Sequence, residues 1–148
     1  MRKLLIFLLI FSACISVNAY SQNQEKVVKW LKNASSTEKA QYWFNLSSEL
    51  NKLVPINVDS ETLLFNTAPL NNGLTYNYKL TNYAYEDMTK NQWNDKISNI
   101  AKESVRRFCT TPDSLLFREA NADIKINYYD RAGSYIGDIS FNAGKNCD

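Results

Sequence analysis

Apolar positions recur along this chain with two different periods, and the changes between them mark out its elements. From Gln22 to Lys32, Val27, Val28, Trp30 and Leu31 sit among lysines and glutamate, a spacing that predicts a short helix. Ser35-Ser36-Thr37-Glu38 then has the S-x-x-E form of a capping box, and Pro55 supplies a stop. Between them Ala40, Trp43, Phe44, Ser47 and Leu50 return every three or four residues, so a second helix carries one apolar side. Trp43 and Phe44 suit ligand stacking in principle, but an apolar helix face of this kind is ordinarily core.

After Pro55 the period shortens to two. Ile56 to Val58 and Glu61 to Ala68 read as extended chain, and Pro69 to Gly73, with its Asn-Asn-Gly, as a turn. Leu74, Tyr76, Tyr78 and Leu80 then point one way while Thr75, Asn77, Lys79 and Thr81 point the other, the pattern of a half-buried antiparallel strand. The helical period returns from Thr89 to Cys109, where Trp93, Ile97, Ile100, Ala101, Ser104, Val105 and Phe108 share a side. Arg106 and Arg107 close that helix. Their cations suit the negative end of its dipole, which is a simpler account than an anion site. Thr111-Pro112-Asp113 has the order of a helix start and predicts a short helix through Glu119. Ala122, Ile124, Ile126 and Tyr128 alternate with polar residues, Asp130 to Gly133 reverses the chain, and Ser134 to Phe141 returns. On that last strand Tyr135, Gly137, Ile139 and Phe141 are expected on one side, and Ile136, Asp138 and Ser140 on the other. The order predicts an α+β fold: an antiparallel sheet of about four strands in two hairpins, a long helix packed on one face, and N-terminal helices.

The N-terminus sets the address. Arg2 and Lys3 precede an apolar run, Leu4 to Phe11, followed by smaller residues ending in Val17-Asn18-Ala19, which reads as a secretory signal peptide over residues 1–19. Residues 20–148 are then one domain, periplasmic or secreted, with no transmembrane helix in the mature chain, since the apolar run falls short of the ~20 residues a span needs. A second reading takes Phe11-Ser12-Ala13-Cys14 as a lipoprotein processing site, with Cys14 as a lipidated anchor. Removing Arg2 and Lys3 takes the formal charge from +2 to zero. That leaves no basic field for nucleic acid or an anionic membrane. Cys109 and Cys147, the cysteines left after cleavage, are expected to form a structural disulfide in an oxidising compartment. Loop closure of that length is worth roughly 4 kcal/mol at most. The pair lacks the C-x-x-C spacing of a redox site.

The chain has no histidine, so any acid or base catalysis would fall to carboxylates. Asp59 with Glu61, or Asp130 with Asp138, are the candidates for a carboxylate-dependent hydrolase. The plainer account makes Asp59 and Asp130 turn residues and Asp138 a solvent-facing strand residue. Serine has no G-x-S-x-G context, and no cofactor or metal site is expected. Tyrosine is abundant, with 9 in the chain, and gives contact area at low entropy cost. Tyr83, Tyr85 and Tyr129 are the rings the strand phases leave outside, and they form the candidate binding surface.

Leu50-Asn51-Lys52-Leu53-Val54-Pro55, Val58-Asp59-Ser60-Glu61-Thr62 and Leu74-Thr75-Tyr76-Asn77-Tyr78, followed by Cys109, Tyr128, Asp130, Gly133, Ile139 and Cys147, resemble a pattern of small exported bacterial proteins. That pattern is L-N-x-x-x-P, V-D-x-x-T and Y-x-Y, then Cys, a Tyr-rich hairpin and a final Cys. The resemblance implies a bacterial, exported, disulfide-bonded domain and marks Asp59 and Thr62 as motif positions. The function expected is a non-catalytic binding protein of the bacterial envelope, with an inhibitor, immunity or assembly role, whose partner is a protein or a cell-wall glycan.

Overall fold

The computed structural model describes residues 17–147, so the signal segment up to residue 16 and Cys14 lie outside it. Helix α1 (Val17–Asn33) spans the expected cut after Ala19 and is followed by α2 (Ser36–Asn51). The capping box forms as the sequence implies: the Ser35 hydroxyl accepts from the Glu38 N–H at 3.3 Å, and the Glu38 carboxylate accepts from the Ser35 N–H at 2.8 Å. Then come β1 (Ile56–Asn57), β2 (Thr62–Leu70), β3 (Gly73–Leu80), α3 (Lys90–Thr110), α4 (Leu115–Glu119), β4 (Asp123–Tyr129) and β5 (Tyr135–Asn142). They build one five-stranded sheet in chain order, β1-β2-β3-β4-β5. The fold is α+β, with α3 packed on the sheet.

Two details correct the sequence reading. β1 adds a two-residue strand to the four expected, and the sheet is antiparallel except at its centre, where β3 and β4 run parallel. The physical reason is the link: α3 and α4 carry the chain back to the end where β3 began, so β4 sets out in the same direction. A tight turn would have forced the opposite sense. Gly73 belongs to this junction rather than to the preceding turn. A Cβ there would lie 1.8 Å from the Asp123 carbonyl oxygen, so no side chain fits beside β4.

The register sorts the strands into two faces. Leu64, Tyr78, Tyr128 and Gly137 lie in one cross-strand row, and Thr67, Tyr76, Ile126 and Ile139 in the next. Both rows face the helices. Ser47 of α2 shares a 3.0 Å hydroxyl hydrogen bond with Thr67, and Ile97 of α3 stands where a Gly137 side chain would begin, 3.5 Å away. Trp43 stacks on Phe117 with ring centres 5.4 Å apart, and Phe108 meets both Phe117 and Phe141, joining α2, α3, α4 and the sheet in one core. Trp43 is fully buried while Phe44 is 54% exposed. Phe44 therefore leaves the apolar face expected for it: successive helix residues stand about 100° apart, and burial centres on Trp43 and Ser47.

The edge of β2 is closed by a side chain. Asn51 Oδ1 accepts from the Thr67 N–H at 2.8 Å and its Nδ2 donates to the Thr67 carbonyl at 2.9 Å, so one amide does the work of a neighbouring strand. Cys109, at the end of α3, and Cys147, past β5, are joined by the expected disulfide. It fastens the helix layer to the end of the sheet.

Candidate functional site

The side of the sheet away from the helices is open, and the same register orders it. The alternate residues of the four long strands form four rows, the last of them, where β3 and β4 begin, being Leu70, Gly73, Asp123 and Asn142. The first holds Leu63, Lys79, Tyr129 and Tyr135, with Phe65 at the register shift in β2; the second Asn66, Asn77, Asn127 and Asp138; the third Ala68, Thr75, Lys125 and Ser140. The first row is aromatic. Phe65 and Tyr129 meet edge to face at 5.4 Å, Tyr129 and Tyr135 at 5.8 Å, and Lys79 Nζ lies 5.8 Å from the Phe65 ring centre. The second row is polar and ordered: Asn127 Nδ2 donates to Asn77 Oδ1 at 2.8 Å. Asp138 accepts from the Tyr135 hydroxyl and lies 3.8 Å from Lys125 Nζ.

The central strand, expected to be half-buried, is screened on this side too. Thr75 and Asn77 are under a tenth exposed although no helix among the described residues covers them, because neighbouring strands and their side chains flank them on both sides. Tyr135 departs from its expected face. A register shift between Tyr128 and Tyr129 pairs Tyr128 with Gly137 but Tyr129 with Tyr135, so Tyr135 turns to the open face and Ile136, the extra residue, packs against the core. Alternation carried through an undetected bulge places both residues wrongly.

The three tyrosines of the candidate surface occupy different settings. Tyr129 is in the aromatic row. Tyr83 packs edge to face on Trp93, with Lys96 Nζ 4.1 Å from its ring centre, on the α3 side of the fold. Tyr85 is 43% exposed, and its backbone is held between the Asp130 carboxylate and the Trp93 indole. Phe65, Lys79, Asn77, Asn127 and Tyr135 were not singled out from sequence. For Asn77, Lys79 and Asn127 the available signal was their shared polar phase.

The carboxylates serve the backbone. Asp59 Oδ1 accepts from the Glu61 N–H at 2.8 Å, and the N–H groups of Val58 and Asp59 both point at the Thr62 carbonyl. The motif positions Asp59 and Thr62 thus close one turn into β2. Asp130 is 1% exposed and accepts from the N–H groups of Ser134 at 2.6 Å and Tyr85 at 2.9 Å. Burial alone would raise its carboxyl, yet these donors, with those of Ala132 and Gly133, hold it below the usual carboxylate value. Asp130 and Asp138 belong to separate networks. Arg106 and Arg107 both bind Glu103, Arg106 through two bonds of 2.9 and 2.7 Å, and hydrogen bonding, from Arg106 first, holds the Glu103 carboxyl down at about 2. Among the described residues no group of His, Cys, Asp and Glu is placed to hold a metal, and no helix is long and apolar enough to cross a membrane.

No protein-family model matches the sequence, and no curated protein is significantly similar to it. Solved structures share its fold. One, from Pseudomonas aeruginosa and described as a secreted protein, superposes with a TM-score of 0.58 at 15% identity, covering 78% of this chain and 99% of the other. The pilotin EpsS of the Vibrio vulnificus type 2 secretion system superposes at 0.58 with 14% identity, covering 76% and 94%. AspS, a type II secretion system pilotin of Vibrio cholerae, gives 0.54 at 12% identity, covering 87% and 99%. At such identities the likeness is one of fold.

Proposed function

We propose that this chain is an exported, non-catalytic binding protein of the bacterial envelope with an assembly role, whose protein partner belongs to a secretion apparatus. The observation that carries this reading is the fold, shared along nearly the whole length of two pilotins and a protein described as secreted. The N-terminal signal segment supplies the route to the envelope. The carboxylates support it in a second way, since Asp59 and Asp130 are spent on turns. In-cell cross-linking followed by mass spectrometry tests the proposal: the expected product is a component of a type II secretion apparatus in the envelope fraction. A captured wall hydrolase or toxin would replace the assembly role by an inhibitor or immunity role.

Membrane attachment through Cys14 is a compatible second reading, favoured by Phe11-Ser12-Ala13-Cys14 lying just ahead of α1. Labelling with a radioactive fatty acid, abolished by Cys14→Ser, is the result expected of an anchor. A chain that stays unlabelled is released instead.

A further inference from the structure

The open face is more polar and more charged than the centre of a protein-binding patch. A protein interface centres on an apolar, charge-depleted core. Here one aromatic row is followed by two rows of amide, hydroxyl and charged groups that hold Ala68 as their one apolar member, and then by a fourth with Leu70 and Gly73 beside Asp123 and Asn142. Adjacent rows lie two residues apart on each strand, about 6.7 Å, the width of one pyranose ring with its hydroxyls. Four strands make each row roughly 14 Å long, room for about three linked sugars.

We propose that this face binds an acidic glycan of the kind that forms bacterial wall strands. The reading goes beyond the assembly role and does not rest on it. Aromatic faces carry negative charge and take up the weakly positive C–H faces of sugars; Tyr135, half exposed and braced edge to face by Tyr129 and, through it, Phe65, is the ring most open to one. Asn77, buried beneath its neighbours, accepts from Asn127 and holds it in place, and Asn127, only partly buried, keeps its second amide hydrogen and its oxygen for hydroxyls. The preference for an acidic chain comes from charge. Lys79 Nζ lies 5.8 Å from the Phe65 ring centre, and no carboxylate of the described residues lies within ion-pair distance of it. Lys125 adds a second cation. Against them stands Asp138, already engaged by Lys125, Tyr135 and Ser140; Asp123, beyond the third row, accepts from Asn142. A chain bearing carboxylates completes Lys79.

Calorimetric titration of the purified protein tests this with three probes: solubilised peptidoglycan strands, neutral chito-oligosaccharide and polyglutamate. Saturable binding of the wall strands is expected, weaker binding of the neutral oligosaccharide, and none of polyglutamate. Tyr135→Ala should raise the Kd for wall strands about tenfold. Lys79→Gln should raise it about threefold while leaving the neutral oligosaccharide unchanged. Tyr135 is half exposed, so its variant should fold. If its melting temperature falls nonetheless, the side-chain amide NMR signals of Asn77 and Asn127 in the unaltered protein decide: they must shift when wall strands are added. Absence of saturable binding, equal binding of polyglutamate, undiminished affinity in Tyr135→Ala or silent amide signals would each overturn the proposal.

Discussion

The two faces of the sheet are drawn from alternate residues of the same strands, and they treat tyrosine in opposite ways. Toward the helices, Tyr76, Tyr78 and Tyr128 lie ring against ring in the core between the helices and the strands. Burial raises all three hydroxyls, that of Tyr128 to about 12 even though a hydrogen bond with Ser104 works the other way. On the open face Tyr135 is also raised to about 12, but here the first cause is its hydrogen bond to the Asp138 carboxylate. One shift reports a core and the other a surface contact. The same titration can therefore mean loss of fold on one side and loss of one neighbour on the other.

The largest effects should fall on the covered face. Trp43→Ala removes the ring that joins α2 to α4 and should destabilise the protein by about 3–5 kcal/mol, read from denaturant unfolding. Reduction of Cys109–Cys147 should cost up to about 4 kcal/mol, seen as a clear fall in melting temperature in reducing agent. An unchanged melting temperature would show that the core holds without the clamp. Asp130→Ala should cost about 3 kcal/mol, because it strands buried N–H donors that a carboxylate now accepts from.

The pH dependence of Asp130 follows from the direction of its shift. Its folded value lies below the unfolded one, so its stabilisation is complete above about pH 4 and is lost as pH falls through the folded value. Acid unfolding followed by circular dichroism should come at higher pH in a Tyr85→Pro variant, which removes one of the donors. At the alkaline end the sign reverses. The buried tyrosines bind their protons more tightly when folded, so their contribution is intact below about pH 10 and declines above it. Phenolate absorbance should then appear together with unfolding.

The smallest effect sharpens the comparison best. Asp138→Asn should return the Tyr135 hydroxyl toward its ordinary value, followed by ring NMR signals, and change stability by less than ~1 kcal/mol. Tyr128 should titrate as before. If Tyr128 moves with Tyr135, the two faces are coupled through β4 and the contrast fails.

Much of the covered face was legible in the sequence because its signals are local or periodic. The capping box at Ser35, the phase of Leu74, Tyr76, Tyr78 and Leu80, that of Ile124, Ile126 and Tyr128, and the pairing of Cys109 with Cys147 all follow from spacing and compartment. The open face was less so. Its candidate member Tyr129 follows from alternation, whereas alternation puts Tyr135 on the wrong side because a bulge leaves no mark in the hydrophobic period. Phe65 sits at the other irregularity, in β2.

By itself the sequence determined which residues are helical or extended, which side of most elements seeks a core, with Phe44 and the bulged start of β5 as exceptions, where the chain turns and which thiols meet, since each depends on neighbours a few positions away or on simple counting. Only the tertiary structure decided that β3 and β4 run parallel, that Gly73 must yield to Asp123, that Asn51 closes the β2 edge, and that Lys79, Asn127, Tyr129 and Tyr135 share one uncovered surface. These depend on strand order and register, which the free energy of the whole packed chain sets and no single stretch encodes.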